Sequence, residues 1–197
     1  MSRRFSFKPG LMLRGRKFKG LRGWAGKPLH PPLTDVPVSA YIFAAAFDVI
    51  SLVAFEMDEL DIARNFFIAG TYVIIGGAIV SLGAALTGFW DWLKSTSKGT
   101  QARRTANAHM ATMLTVTALV IVDIIVRLAT WDEAYAELPV VILSAVVALL
   151  VSIGASLGGE LVYDFGFNVE TAGDSVVWHE SEEDVLPGAE TYPAQKP

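Results

Sequence analysis

Apolar and polar positions in this chain fall into long blocks rather than the short alternations of a soluble fold. Residues 70–90 carry no charge, and neither do residues 138–159. Each run exceeds the ~20 residues that an α-helix needs to cross a hydrocarbon core. Residues 106–126 hold one charge, Asp123, and residues 36–55 hold one, Asp48. The pattern predicts an all-α membrane protein, a bundle of four transmembrane helices at about 36–57, 65–93, 106–128 and 138–163. Residues 1–35 form a basic arm ahead of this domain, residues 36–163 are the domain, and residues 164–197 are an acidic tail. No internal repeat stands out.

The connections carry the charge. The first and third, residues 58–64 and 131–137, are acidic, whereas residues 94–105 contain Lys94, Lys98, Arg103 and Arg104. The arm holds nine Lys and Arg residues and no acid before Asp35. Basic residues gather in cytoplasmic loops, so both termini are expected in the cytoplasm. The tail, with eight acids and one lysine, does not oppose this, because acids weigh little in the rule. Aromatic and leucine residues between the arm's charges suit a segment lying on lipid headgroups. The arm is too long for the basic leader of a secretory signal, and the first apolar run contains Asp48, so that run is expected to be a retained helix.

Residues 27–37 contain four prolines. They delay the first helix until past Pro37, with Thr34 or Asp35 as its cap and His30 ahead of it. Gly77, Ser81 and Ala85 in the second helix, and Ala148, Ser152, Ser156, Gly154 and Gly158 in the fourth, are small enough for close helix packing. Trp24, Trp90 and Trp92 mark one membrane interface and Trp131 the other. Trp178 and His179 stand alone in the tail.

Composition agrees with this picture: 52% of residues are hydrophobic, 18% are charged, and mean hydropathy is +0.43. There is no cysteine. Disulfides, thiolate nucleophiles, Cys-ligated iron–sulfur clusters and covalently attached haem are thereby excluded. No phosphate loop, HExxH or Ser-His-Asp pattern is present. An enzymatic role is not favoured, and no nucleic-acid partner is expected.

Two constellations carry candidate chemistry. His30 and His109 fall near the same interface, with Asp35 and Asp91 close by in the topology. The two histidines, one ahead of the first helix and one in the third, are suited to ligate a b-type haem between helices, and with Asp35 or Asp91 they are suited to a divalent metal. The alternative is that His30 caps backbone in the proline-rich turn and His109 hydrogen-bonds at the interface. The second constellation is Asp48 and Asp123. An ionised carboxylate within the bilayer is costly, about 2.5–3.5 kcal/mol on insertion scales, so such acids face the bundle interior. Arg127 lies one turn beyond Asp123, and His109, Met113, Val116, Val120, Asp123 and Arg127 form one stripe at steps of three and four. Asp48 has no cation nearby on its own helix. These acids are suited either to a proton or cation path or to buried hydrogen bonds.

Three segments resemble a known family: Pro28 to Pro37, which includes His30, Pro31 and Asp35; Thr87 to Trp92, which includes Trp90 and Asp91; and Leu157 to Tyr163, which includes Gly158, Gly159 and Glu160. Over roughly residues 27–169 the chain resembles the bacterial membrane proteins catalogued as domain of unknown function 2231. The positions of Asp48 and His109 match as well. The resemblance implies a bacterial cytoplasmic membrane location. It also implies redox company, because some members are joined to Rieske-type iron–sulfur domains, which this cysteine-free chain lacks. The expected partners are the lipid bilayer and a redox or other membrane complex. A cofactor-free scaffold that docks through arm and tail is the remaining alternative.

Overall fold

The computed structural model describes Leu21, residues 28–167 and Val169. Four helices account for almost all of it: α1 (His30–Glu56), α2 (Leu60–Ser95), α3 (Gln101–Ala129) and α4 (Leu138–Tyr163). All four are long and apolar enough to cross a membrane. Most of the basic arm, with Trp24, and most of the acidic tail, with Trp178 and His179, lie outside the described residues.

Helix α1 begins earlier than the prolines suggest. Its first residue is His30, so Pro31 and Pro32 occupy the first turn, where a missing N–H costs nothing. Pro37 lies inside the helix and is buried. Neither Thr34 nor Asp35 is the cap. Leu29 takes that position without a side-chain bond, and the Thr34 hydroxyl donates back to the Pro31 carbonyl at 2.7 Å. The sharp α1–α2 turn places Asp58 at φ 64°, left-handed backbone that Asp tolerates better than most residues. At the start of α3, Thr100 Oγ1 accepts the Arg103 N–H at 3.1 Å, an ordinary N-cap.

Successive helices run antiparallel. Both termini and the α2–α3 connection therefore lie at one end, here the terminal end, and the two short connections lie at the other, the hairpin end. Around the bundle α1 packs on α2 and α4, and α3 packs on α4 and α2. The α2–α3 contact is the loosest of the four, and the diagonal pairs α1/α3 and α2/α4 make no close backbone approach. The core is a layer of Tyr41, Ala44, Ile74, Val116, Val120, Val147 and Val151 between the two ends. Outward-facing positions such as Phe43, Ile79, Leu86, Ile125 and Leu149 are exposed apolar side chains, which a bilayer covers.

The small-residue stripes of the sequence are only partly the packing faces. Gly77 and Gly154 are buried, but Ala85, Ser152 and Ser156 are exposed, and both serines bond back to their own helix. The buried face of α2 instead runs through Gly70, Thr71, Ile74, Gly77, Ala84 and Asp91. The buried face of α4 runs through Val140, Val141, Ser144, Val147, Gly154 and Leu161.

Those two faces are in register, residue for residue. The same holds for α1 and α3: Pro37, Tyr41, Ala44 and Asp48 are buried in one helix, and Val116, Val120, Asp123 and Arg127 at matching positions in the other. His30 falls on His109, Ala84 on Gly154 and Gly88 on Gly158. The hairpin α1–α2 is thus repeated by α3–α4, with a pseudo-twofold axis along the bundle. The repeat is invisible as sequence identity because matched positions exchange size: Gly77 stands where its counterpart is Val147. A Cβ on Gly77 would come within 2.7 Å of the Ala40 Cβ, so the bulk at that level is supplied by Tyr41 of α1 instead.

Candidate functional site

Two polar pairs share the α1–α3 diagonal, one at each end. At the hairpin end, Arg127 donates a fork to Asp48: Nη1 bonds Oδ1 at 3.0 Å and Nη2 bonds Oδ2. Its Nε donates to Asp123 Oδ1 at 2.8 Å, and Nη1 also reaches Thr71 Oγ1 at 3.4 Å. Asp48, Thr71, Asp123 and Arg127 are each 0% exposed. The cation that Asp48 lacks along α1 comes from across the bundle. Its source is a five-donor guanidinium whose planar fork matches a carboxylate. Ser144 of α4 stands beside the Asp48 carboxylate. Gly70 lets the α2 backbone close over the pair, since a Cβ there would sit 3.1 Å from Asp48 Oδ1. Within this cluster, Asp123 Oδ2 is buried without a partner. Nearby, Ser51 donates to the Ala63 carbonyl at 2.7 Å and accepts the Ala136 N–H at 2.9 Å, tying the two connections together.

At the terminal end, His30 and His109 face each other with ring centroids 6.3 Å apart and planes crossed at 80°. His30 Nδ1 lies 2.8 Å from the Ala84 carbonyl, and His109 Nδ1 lies 2.8 Å from the Gly154 carbonyl. A carbonyl only accepts, so both Nδ1 atoms carry the hydrogen, and in the neutral ring each Nε2 keeps its lone pair. Both rings rest on glycine. A Cβ at Gly88 would meet three atoms of the His30 ring at 2.5–3.0 Å, and one at Gly158 would lie 3.4 Å from His109 Cε1. The tautomer of each imidazole is thus set by a backbone group of the neighbouring helix. Each ring is placed by the α2 or α4 position related by the pseudo-twofold.

The carboxylates expected near the histidines do other things. Asp35 is exposed on α1. Asp91, 4% exposed, accepts the Leu21 N–H at 3.0 Å and so holds the end of the arm against α2. Among the described residues no three His, Asp or Glu side chains gather as a metal site would require. Trp92 donates to Asn107 Oδ1 at 2.7 Å beneath the Arg103 guanidinium, 3.7 Å from its ring centroid, while Trp90 lies exposed under Lys94. Trp131 packs on Tyr72 and Arg64 at the hairpin end. Gly159 and Glu160 lie near the end of α4, where the Glu160 carbonyl accepts the Asp164 N–H, and Tyr163 is 87% exposed. Thr71, Gly70, Ser51 and Ser144 belong to the polar sites without having been singled out by sequence, because no local pattern on their helices points to the groups they meet.

The four spans and the inward-turned polar pairs define a multi-pass helical membrane protein. The chain belongs to the family described as predicted membrane protein (DUF2231), whose match covers residues 26–171. No curated protein and no solved structure matches it.

Proposed function

We propose that this chain is a redox-associated membrane protein that holds a b-type haem between His30 and His109. The carrying observation is the crossed imidazole pair, each ring fixed by an Nδ1–H bond to a backbone carbonyl with Nε2 left over. Ligating histidines are oriented by such a bond on the second nitrogen. His30 and His109 would hold the group between their spare nitrogens. Haem suits the pair better than a divalent ion does. A bare ion would find two nitrogens and no carboxylate, whereas a porphyrin brings its own equatorial ligands. When bound, the haem would supply one-electron chemistry, and His30 and His109 would hold it at the end of the bundle.

The distribution of Lys and Arg supports both termini in the cytoplasm, and the family resemblance supports a bacterial membrane. The histidine pair then lies at the cytoplasmic face, within reach of a soluble or membrane-bound redox partner. A proton or ion conduit through Asp48 and Asp123 is less well supported, because the apolar layer of Tyr41, Ile74, Val116, Val120, Val147 and Val151 separates the two polar pairs. The conduit reading requires liposome flux that is lost in Asp48→Asn.

The test is the visible spectrum of detergent-purified protein, oxidised and dithionite-reduced, with metal analysis of the same sample. A Soret band that shifts on reduction and is lost in both His30→Ala and His109→Ala is expected. A colourless, metal-free preparation that stays so after haem reconstitution would sink the proposal.

A further inference from the structure

The ion pair and the histidine pair occupy matching places on matching helices. His30 precedes Asp48, and His109 precedes Arg127, by the same stretch of about 27 Å at the helical rise. Helices α1 and α3 do not touch backbone to backbone. Both pack on α2 and α4, and beyond those shared neighbours their relative height and rotation are set directly only by side chains that cross the bundle centre. Most of those are apolar, and apolar contact has no direction. The Asp48–Arg127 fork has direction: two bonds fix both the level and the angle at which α3 presents its inner face to α1. A third bond, from Arg127 to Asp123, holds the guanidinium plane itself.

We propose that Asp48 and Arg127 are positioning residues for the histidine pair: their fork sets the register of α1 against α3, and through two rigid helices the separation of the imidazoles. The pseudo-twofold adds a second requirement. Position 48 matches 127, and Ala44 matches Asp123. The lock should therefore also form inverted, with the guanidinium on α1 and both carboxylates on the facing positions, once Val140, the match of Gly70, is reduced to glycine. The site itself rests on the haem reading. The lock does not, because register is measured without a cofactor.

The natural chain has no cysteine, so spin labels can be placed at Asp35→Cys and Leu114→Cys. These are exposed, pseudo-equivalent positions on α1 and α3 at the terminal end. Pulsed electron–electron resonance on the full chain in nanodiscs then reads their separation. The parent should give one narrow distribution. Arg127→Gln should broaden it about twofold or shift it by several ångströms. Arg127→Lys, which keeps the charge but not the fork, should broaden it less and serves as the test if Arg127→Gln does not fold. The inverted lock, Ala44→Asp with Asp48→Arg, Asp123→Ala, Arg127→Asp and Val140→Gly, should restore the narrow distribution. A folded Arg127→Gln or Arg127→Lys protein with the parent distribution would show that the pair is merely stabilising and would overturn the proposal. An inverted lock that folds but stays as broad as Arg127→Gln would overturn it too, because the fork would then not be what sets the register.

Discussion

The α1–α3 diagonal carries a polar pair at each end, and the two ends differ in what they leave over. At the hairpin end one guanidinium donates to three partners on three helices, and all are sealed from solvent. At the terminal end each imidazole spends one nitrogen on a backbone carbonyl and keeps the other. Each ring is seated on a glycine rather than enclosed by partners. The first arrangement consumes almost all its hydrogen-bonding capacity, Asp123 Oδ2 excepted, and the second holds a nitrogen on each ring in reserve. Burial of polar groups in a membrane bundle thus serves two ends: where an ion pair is enclosed it secures the fold, and where a nitrogen is spare it leaves the atom that the proposed site uses.

The sharpest way to break this contrast is at the charged end. Arg127→Gln leaves two buried carboxylates without a cation, a change that costs about 3–5 kcal/mol in buried pairs. Denaturant titration in detergent should show that loss, while His30→Ala under the same conditions should cost about 1 kcal/mol, the value of one hydrogen bond. Equal losses would erase the distinction between lock and site. Ser51→Ala tests the hairpin end more gently. It orphans the buried Ala136 N–H and should cost about 1–3 kcal/mol, read in the same titration.

Glycine substitutions sharpen the other side. Gly88→Ala drives a methyl into the His30 ring and should cost about 1–3 kcal/mol by overpacking, with a displaced Soret band in haem-loaded protein. Gly158→Ala meets His109 only at 3.4 Å and should cost about 1 kcal/mol or less, near the small end of such changes, leaving the band in place. If the two alanines behave alike, the seating of His30 is not the tighter one.

The spans were legible because length and lack of charge suffice to make a transmembrane helix. The inward stripe from His109 to Arg127 was legible because helical periodicity is local, and Val116, Val120, Asp123 and Arg127 are all buried. The partner of Asp48 was not legible. It lies 79 residues away, and nothing local in either helix points across a diagonal. The start of α1 misled for another reason: prolines break a helix in its interior but begin one at its first turn, and the residue pattern alone does not say which applies. The repeat hid because packing conserves summed volume across an interface rather than residue type at a position. Gly77 against Tyr41 and Val147 near Val120 fill the same layer with different side chains.

That repeat has a consequence for assembly. Two pseudo-equivalent hairpins have nearly the same shape, so each is sterically able to pair with a copy of itself from another chain. Charge forbids it. A first hairpin facing its own kind would bury Asp48 against Asp48 with no cation, and a second would bury Arg127 against Arg127 with only its own Asp123 to offset each, in a medium where like charges cannot be screened by water. The single reversal of sign at one matched position makes each half intolerant of itself and committed to the other. It turns a symmetric scaffold into one that closes within its own chain.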